Sequence, residues 1–417
     1  MKLLFLIADG MGGWPGEMPG EKTCLEAAAT PNMDELAAAG VVGTCRTIPE
    51  GLPPGSDVAN MSLLGFNPAK LHTGRGPIEA AAQGLQLDPD DLVWRLNLVR
   101  VSELSPTGRM LDYSSGHITT EASEPLVRDL QANLGDECFQ FYPGVQYRHL
   151  LVHKHGAGEP EATLKISPPH DITDKSLHAD LREFSRSALM WDLLFLAEER
   201  LAETAKHTQA NAVWPWGQGR PLILPDFHTT FGRRGAVISA VDLVRGLGRA
   251  AGMEVLDVPG ATGLIETNYQ GKVDAALSFL EHGDFAFVHL EGPDECGHAG
   301  NAVEKTEAIS RFDARIVGPL REALGGQIGG QDVALLITCD HFTPIAEKTH
   351  TPDPVPFVLW HPGCAATGCE LPEVPAFSEA LARSTGLVIE AGHELLPWAL
   401  HQLEGQLTDH LSGQPGD

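Results

Sequence analysis

Residues 2–10 read KLLFLIADG, a short and continuously apolar run that ends in an acidic residue and a glycine. Such a run is typical of a buried strand in a parallel sheet, because other elements cover both faces of the strand. In open sheets of this kind, ligands bind beyond the carboxyl ends of the strands. The run therefore predicts a strand over 2–8 that places Asp9 at a functional edge.

Similar runs recur in the second half of the chain. Residues 284–290 and 332–338 are apolar and lead into acidic, loop-like segments, and 355–360 resembles a further strand. A helix is predicted over 31–39, where Thr30 is the capping residue, Pro31 occupies the first turn and Gly40 ends the helix. Apolar periodicity predicts further helices over 240–251, 271–282, 302–324 and 388–404. This alternation favours an α/β domain with a mainly parallel sheet flanked by helices.

The middle of the chain follows a different pattern. Between 78 and 204 the alternation is less regular, and polar segments and histidines are frequent. Residues 74–77 (GRGP) and 216–221 (WGQGRP) have the composition of hinges or connections. We predict one α/β domain built from residues 1–77 and 205–417, with a smaller α+β domain inserted over 78–204.

Charge limits the partners of this chain. The 417 residues include 29 Lys and Arg against 56 Asp and Glu, for a net charge of −27. Such a surface lacks the basic stripe that nucleic acid requires, so a general nucleic-acid binder is excluded. The same charge repels anionic substrates, and any phosphate site therefore needs local positive charge.

The expected compartment is the cytoplasm. Asp9 interrupts the opening apolar run, no small-residue cleavage site follows it, and no later run approaches the roughly 18 residues of a membrane helix. The seven scattered cysteines form no CxxC pair, which favours free thiols in a reducing compartment. We expect no membrane partner, and no pattern in the sequence sets an oligomeric state.

Residue types that bind metals collect in four segments. An aspartate at a strand end or a Gly-Ser-Asp turn is, taken singly, more often a capping or turn residue. Here the segments follow three of the predicted strands or form a tight turn, and they contain Asp9, Ser56, Asp294, His298, Asp340, His341 and His350.

Taken together, these segments predict a two-metal site. Three aspartates and three histidines at one sheet edge suit two divalent cations, and the mixture of carboxylate and imidazole favours manganese or zinc over calcium. Two dications would also supply the positive charge that this acidic chain lacks. Both effects point to phosphoryl chemistry.

The sequence resembles the bisphosphoglycerate-independent phosphoglycerate mutases of the alkaline phosphatase superfamily, particularly their archaeal-type branch. The resemblance covers nearly the whole chain and implies an alkaline phosphatase-like fold. It is carried by the two C-terminal metal motifs and by residues 7–12, 29–34, 54–60, 74–80, 147–149, 167–172, 216–219 and 235–243.

The resemblance implies interconversion of 3-phosphoglycerate and 2-phosphoglycerate through a phosphoserine on Ser56. It implies two divalent ions and no bisphosphoglycerate, with manganese expected and zinc, cobalt or magnesium as alternatives. The ligands of one metal would be Asp9, Ser56, Asp340 and His341, and those of the other would be Asp294, His298 and His350.

A mutase, unlike a phosphatase, must hold the glycerate and exclude water, which would give the inserted domain the role of a lid. Arginine offers a planar fork for a carboxylate or phosphate, and histidine moves protons near neutral pH. Such residues in an irregular domain are also commonly plain surface groups. The candidates for grip and acid–base work are His117, Arg148, His170 and Asp171, with Arg75, Arg233 and Arg234 as further candidates.

Two departures from the family pattern leave alternatives open. Phe342 stands where the family usually has serine, which would reshape the substrate side of the pocket, and His350 precedes Thr-Pro. The alternative function is a phosphotransferase or phosphatase acting on another phosphorylated metabolite, such as a homoserine kinase-like activity. A non-catalytic binding protein would have lost Ser56 or a metal ligand, and this sequence has lost neither.

Overall fold

The computed structural model describes residues 1–324, 332–362 and 376–412, which form two compact units. Unit 1 comprises residues 1–72 and 224–417, and unit 2 comprises residues 73–223. These bounds differ from the predicted domain boundaries at 78 and 204. The second boundary lies later because residues 212–219 form a strand that pairs within unit 2.

The strands of the described residues vary from two to ten residues in length. In chain order they are β1 (Lys2–Ala8), β2 (Val41–Cys45), β3 (Leu92–Val101), β4 (Met110–Asp112), β5 (Phe139–Tyr142), β6 (Arg148–His153), β7 (Ala212–Gly219), β8 (Gly235–Ile238), β9 (Glu254–Val255), β10 (Phe285–Leu290), β11 (Val333–Thr338), β12 (Val355–Trp360) and β13 (Val388–Ile389).

The α-helices of the described residues are α1 (Cys24–Ala27), α2 (Pro31–Ala39), α3 (Ser56–Leu63), α4 (Pro68–Leu71), α5 (Arg75–Gln83), α6 (Thr120–Leu134), α7 (His178–Phe184), α8 (Ala188–Thr204), α9 (Phe227–Phe231), α10 (Asp242–Ala250), α11 (Tyr269–Leu280), α12 (Gly292–His298), α13 (Ala302–Phe312), α14 (Gly318–Ala323), α15 (Glu379–Ser384) and α16 (Leu395–Ser412). A π-helical turn, Asp313–Val317, joins α13 to α14, and short 3₁₀ turns occupy Gly156–Gly158, Pro160–Thr163 and Gly392–Glu394.

The sheet of unit 1 confirms the predicted α/β class. Its strand order is β13-β2-β12-β11-β1-β10-β8-β9, and only β12 runs antiparallel to its neighbours. All seven residues of β1 are buried, and a fully buried Leu, Ile or Phe side chain contributes about 1.5–3 kcal/mol. In the sheet register Ala8 pairs with Leu290 and Ile7 pairs with Thr338. The three central strands therefore end at the same level, where their loops meet.

Unit 2 contains an antiparallel sheet of order β4-β3-β6-β5, with β7 also paired to β3. Its core includes the buried Trp94, Phe184 and Trp214. The indole of Trp214 packs at 5.4 Å from the ring of Phe184 and donates its Nε1–H to the Ser167 carbonyl at 3.0 Å. This sheet and its helices form the smaller α+β unit that the sequence predicted.

The helix predicted over 388–404 is wrong in its first part. Val388 and Ile389 form β13, parallel to Thr44 and Cys45 of β2, and α16 begins only at Leu395. A helical pattern of apolar residues carries no information about a neighbouring strand whose backbone groups are free to pair. The edge of the sheet therefore overrides the local pattern at this position.

The helix α2 begins and ends where the sequence predicts, with Thr30 at its N-cap position, but a different side chain caps its start. Thr30 does not cap the helix, because its hydroxyl donates to Asp34 Oδ1 at 3.1 Å. The N–H groups of Asn32 and Met33 instead donate to the carboxylate of Asp313, at 3.2 and 2.8 Å. The capping group thus comes from the π-helical turn, 280 residues further along the chain.

Among the residues that the structure describes, no helix combines the length and apolar character that a bilayer crossing requires. Cys364 and Cys369 lie outside those residues. The described cysteines are free thiols, namely Cys24, Cys45, Cys138, Cys296 and Cys339.

Glu379 makes the stability of the fold depend on pH. It is buried at the start of α15, where its carboxylate accepts hydrogen bonds from Gly13 N–H at 3.0 Å and the Thr23 hydroxyl at 2.9 Å. Burial raises the pKa of Glu379 from 4.5 to about 7. The folded protein therefore binds this proton more tightly than the unfolded chain does. We expect the contribution of Glu379 to the free energy of unfolding to fall by about 3 kcal/mol as the pH rises from about 4.5 to 7.

The Glu379→Gln variant tests this expectation, because glutamine does not titrate. Urea unfolding of both proteins between about pH 4.5 and 8 should show a smaller loss of stability with rising pH in the variant. Glu390→Gln, which alters an exposed residue paired with Arg46, serves as the control. Equal pH profiles for the wild type and Glu379→Gln would contradict the assignment.

Candidate metal centre

The loop after β1 approaches the neighbouring loops very closely. Gly10 has φ +63°, and a Cβ atom at this position would lie 2.6 Å from Thr343 Oγ1 and 2.7 Å from the Asp294 Cα atom. Only glycine fits both this conformation and this space. The loops after β1, β10 and β11 are thereby brought together around Asp9.

Phe342 is a packing residue of the same region. It is 1% exposed, and a Cβ atom on Gly12 would lie 2.0 Å from its ring. This burial gives no support to the expectation that Phe342 reshapes the substrate side of the pocket. Its ring is buried against the backbone of the loop after β1.

One group of candidate ligands lies at the ends of β1 and β11. His341 Nε2 is 3.5 Å from Asp9 Oδ1 and 3.3 Å from Asp340 Oδ2, and all three side chains are buried. Ser56, the first residue of α3, places its Oγ atom 3.0 Å from His341 Nε2. Asn60, one turn along α3, donates to the Ser56 carbonyl and to Asp340 Oδ2, both at 2.9 Å. The hydroxyl is therefore held beside the buried carboxylates.

A second group adjoins the first. Asp294 and His298 lie four residues apart in α12, with His298 Nε2 at 3.2 Å from Asp294 Oδ2. His350 Nε2 is 3.6 Å from Asp294 Oδ1 and 3.0 Å from His298 Nε2. The rings of His341 and His350 are 4.0 Å apart, so the two groups are continuous. The structure thus brings together all seven metal-site residues that the sequence singled out.

Charge and hydrogen bonding in this cluster fit bound dications. Burial raises the pKa of Asp9 well above its ordinary value, and the nearby Asp340 and Asp294 raise it further. Burial also tends to raise the pKa of Asp294. Hydrogen bonds with His298 and His350 outweigh this effect and hold the pKa of Asp294 well below its ordinary value. Asp9 Oδ1 is buried and accepts no hydrogen bond from any described residue. A divalent cation would offset the repulsion and use this free oxygen.

The candidate ligands form two overlapping sets. The donor atoms of Asp9, Asp340 and His341 lie within 4.8 Å of one another, as do those of Asp294, His341 and His350. Carboxylate oxygens combined with imidazole nitrogens are a donor set that suits manganese or zinc. The residues present therefore fit the two-ion interpretation of the sequence.

Two buried side chains that the sequence analysis missed support this cluster. His289 of β10 lies with Nε2 at 2.9 Å from Asp9 Oδ2, and burial lowers its pKa to about 4. Lys305 of α13 donates from Nζ to the Gly12 and Thr343 carbonyls at 2.9 and 2.8 Å, and so joins two of the site loops. A histidine near the end of an apolar strand is the signal that would have pointed to His289. Lys305 carries no such signal, because a lysine is unremarkable in a helix.

The proposed substrate-gripping residues belong to unit 2. The ring of Tyr113 lies 6.3 Å from His117 and 6.1 Å from His170. It also lies 5.6 Å from the ring of Tyr147, over which Arg148 places its guanidinium at 5.8 Å. His117, Arg148 and His170 thus gather around one aromatic cluster within this unit.

The remaining candidates occupy different places. Asp171 is exposed, with Oδ1 at 3.6 Å from His170 Nε2. Arg75, the first residue of α5, lies with Nε at 3.4 Å from Glu79 Oε1. Arg233 donates to the Met1 carbonyl at 3.0 Å, and Arg234 pairs with Glu254.

The last two arginines lie apart from the metal centre. They directly precede β8 and are near the amino end of β1, whereas Asp9 follows the carboxyl end of β1. A strand of seven residues separates these two ends by about 20 Å. Their candidacy for contact with a ligand at the metal centre is therefore wrong.

Comparison with known proteins places the chain in a family. Residues 37–207 match the family described as 2,3-bisphosphoglycerate-independent phosphoglycerate mutase. A protein of Geobacter sulfurreducens, named as a probable member, is 44% identical over 96% of this chain and 100% of its own length. The mutase of Methanosarcina barkeri is 42% identical over 95% of this chain and 98% of its own length.

Two solved structures share the fold of this chain. A protein of Pyrococcus horikoshii has a TM-score of 0.76 and 28% identity, with 96% of each chain covered. The cofactor-independent phosphoglycerate mutase of Thermoplasma acidophilum has the same fold, with a TM-score of 0.62 and 24% identity over 96% of this chain and 100% of that one. The identity shared with relatives over nearly the full length of both chains shows that this chain belongs to the 2,3-bisphosphoglycerate-independent phosphoglycerate mutase family.

Proposed function

We propose that this chain interconverts 3-phosphoglycerate and 2-phosphoglycerate through a phosphoserine on Ser56, without a bisphosphate cofactor. The observation that carries this proposal is the position of Ser56 Oγ, 3.0 Å from His341 Nε2 and beside the buried carboxylates. Ser56 also begins α3, where backbone N–H groups and the helix dipole favour a phosphoryl group. A hydroxyl at this place is suited to accept and return phosphate.

Two divalent ions are part of the proposal. Asp9, Ser56, Asp340 and His341 would hold one ion, and Asp294, His298 and His350 would hold the other. We propose manganese, with zinc, cobalt or magnesium as alternatives. Bound dications would make the serine alkoxide accessible near neutral pH and would offset charge on the phosphoryl oxygens.

The chemistry moves one phosphoryl group between two oxygens of the same glycerate. Ser56 Oγ attacks the substrate phosphorus in line with the departing glycerate oxygen, which takes up a proton. The other hydroxyl of the retained glycerate then attacks the phosphoserine, releases Ser56 and gives up a proton. Water takes no part in the exchange. The glycerate must stay bound between the two steps because the same molecule accepts the phosphoryl group in the second step.

We propose that unit 2 provides the groups that retain the glycerate. Arg148 supplies a planar fork for a carboxylate or phosphate, and its buried Nε–H finds no acceptor among the described residues. His117 and His170 lie around the same aromatic cluster and would handle protons, with Asp171 beside His170.

The free thiols of the described cysteines suit the reducing cytoplasm, which we propose as the compartment.

The test is an enolase-coupled assay on 3-phosphoglycerate without added bisphosphoglycerate. Treatment with a chelator should lower turnover by more than about 100-fold, and manganese should restore it. Added bisphosphoglycerate should change nothing in either state. Release of inorganic phosphate, or transfer to another acceptor such as homoserine in place of 2-phosphoglycerate formation, would overturn the proposal.

A further inference from the structure

His289 holds one oxygen of Asp9 from inside the sheet. The ring is completely buried in β10, and its Nε2 atom lies 2.9 Å from Asp9 Oδ2. When a bound cation keeps Asp9 ionised, the carboxylate can only accept hydrogen bonds, so Nε2 would carry the proton and donate it. Hydrogen bonds to a charged acceptor are about twice as strong as those between neutral groups.

The ring of His289 is itself held on its other side. Its Nδ1 atom is 3.2 Å from Ser239 Oγ, and Ser239 Oγ accepts a hydrogen bond from Val241 N–H at 3.0 Å. The buried Lys272 donates from Nζ to the His289 carbonyl at 2.7 Å. Both ring nitrogens are therefore engaged by protein groups, which leaves neither of them for a metal ion.

The two carboxylate oxygens of Asp9 therefore have different surroundings. Oδ2 is fixed by His289, whereas Oδ1 accepts no hydrogen bond from the described residues and lies 3.5 Å from His341 Nε2. A carboxylate anchored at one oxygen cannot rotate freely about its last bond. We propose that His289, supported by Ser239, is a positioning residue that aims Asp9 Oδ1 at a divalent cation.

The proposal rests on the metal site of the proposed function and predicts a defined loss of affinity. Removing a group that orients a metal ligand typically weakens metal binding by about 10–100-fold. His289→Leu retains apolar bulk but removes the N–H donor. His289→Gln places an amide N–H near the position of Nε2 and so restores the donor.

Isothermal titration of the metal-free full-length chain with Mn²⁺ provides the test. We expect His289→Leu to weaken one of two binding events by about 10–100-fold and His289→Gln to recover most of that loss. Ser239→Ala should give a smaller effect in the same direction. His153→Gln, which changes another buried histidine in unit 2, is the matched control and should bind Mn²⁺ as the wild type does.

Several results would overturn the proposal. Equal Mn²⁺ affinity in the wild type and His289→Leu would remove the positioning role. If His289→Leu and His289→Gln weakened Mn²⁺ binding equally, the effect would come from the shape of the ring and not from its N–H donor. Thermal unfolding of the metal-free variants separates this outcome from a general loss of fold. If the wild type itself bound no Mn²⁺, the proposed two-metal site would fail, and this inference would fail with it.

Discussion

Replacing Ser56 with alanine should abolish phosphoryl transfer, lowering turnover of 3-phosphoglycerate by at least about 10,000-fold. The side chain is the proposed nucleophile, and the neighbouring groups within reach, His341 and the buried carboxylates, would already be engaged by metal ions. The fold should survive, because Ser56 is partly exposed and the structure shows no side-chain cap at the start of α3. The enolase-coupled assay measures turnover, and calorimetry with Mn²⁺ reports whether the metal centre persists.

A second serine on the same helix supplies the control. Ser62 is buried, and its hydroxyl donates to the Thr47 carbonyl at 2.6 Å. Ser62→Ala should therefore cost about 1 kcal/mol of stability while leaving turnover nearly unchanged. Incubation with ³²P-labelled substrate and acid quenching should label the wild type and leave Ser56→Ala unlabelled. Mutase turnover that persists in Ser56→Ala would remove the proposed nucleophile.

The second large effect is expected for Asp340→Asn. Asp340 Oδ1 accepts hydrogen bonds from the N–H groups of Gly10 and His341 at 3.1 and 2.9 Å, and Oδ2 accepts one from Asn60 Nδ2 at 2.9 Å. Both oxygens thus face donors, so an amide nitrogen at either position meets another N–H group. The variant loses the negative charge and the local hydrogen bonding together.

We expect Asp340→Asn to lose one of the two divalent ions and to lower mutase turnover by more than about 100-fold. Elemental analysis after dialysis against Mn²⁺ measures the bound ions. Asp313→Asn is the matched control, because Asp313 is also fully buried but accepts from the backbone of α2. That change should lower stability and leave the metal content intact. Two ions still bound to Asp340→Asn would contradict the ligand assignment.

The positions of the central strands along the chain were predictable from local sequence. The apolar runs at 2–8, 284–290, 332–338 and 355–360 correspond to β1, β10, β11 and β12 with bounds that differ by at most one residue. Such runs are readable because a strand buried on both faces admits few polar residues. The direction of a strand is not encoded in such a run. The strand β12 runs antiparallel to both β11 and β2, which nothing in residues 355–360 specifies.

Features that depend on distant partners were missed or misassigned. Residues 388–389 form a strand only because β2 offers them an edge, and α2 is capped by Asp313 rather than by Thr30. His289 and Lys305 stand in an apolar strand and an ordinary helix, so their neighbours along the chain do not identify their roles. Each acts through a contact that only the folded chain creates.

The sequence by itself determined the α/β class, the family and the residue types that line the candidate metal centre, because strand ends and short loops encode these features locally. Only the tertiary structure decided which oxygen of Asp9 is held and which is free, and which buried groups hold the loops together. The physical reason is distance along the chain. Asp9 and His289 are 280 residues apart, and a hydrogen bond between them exists only after β1 and β10 have paired.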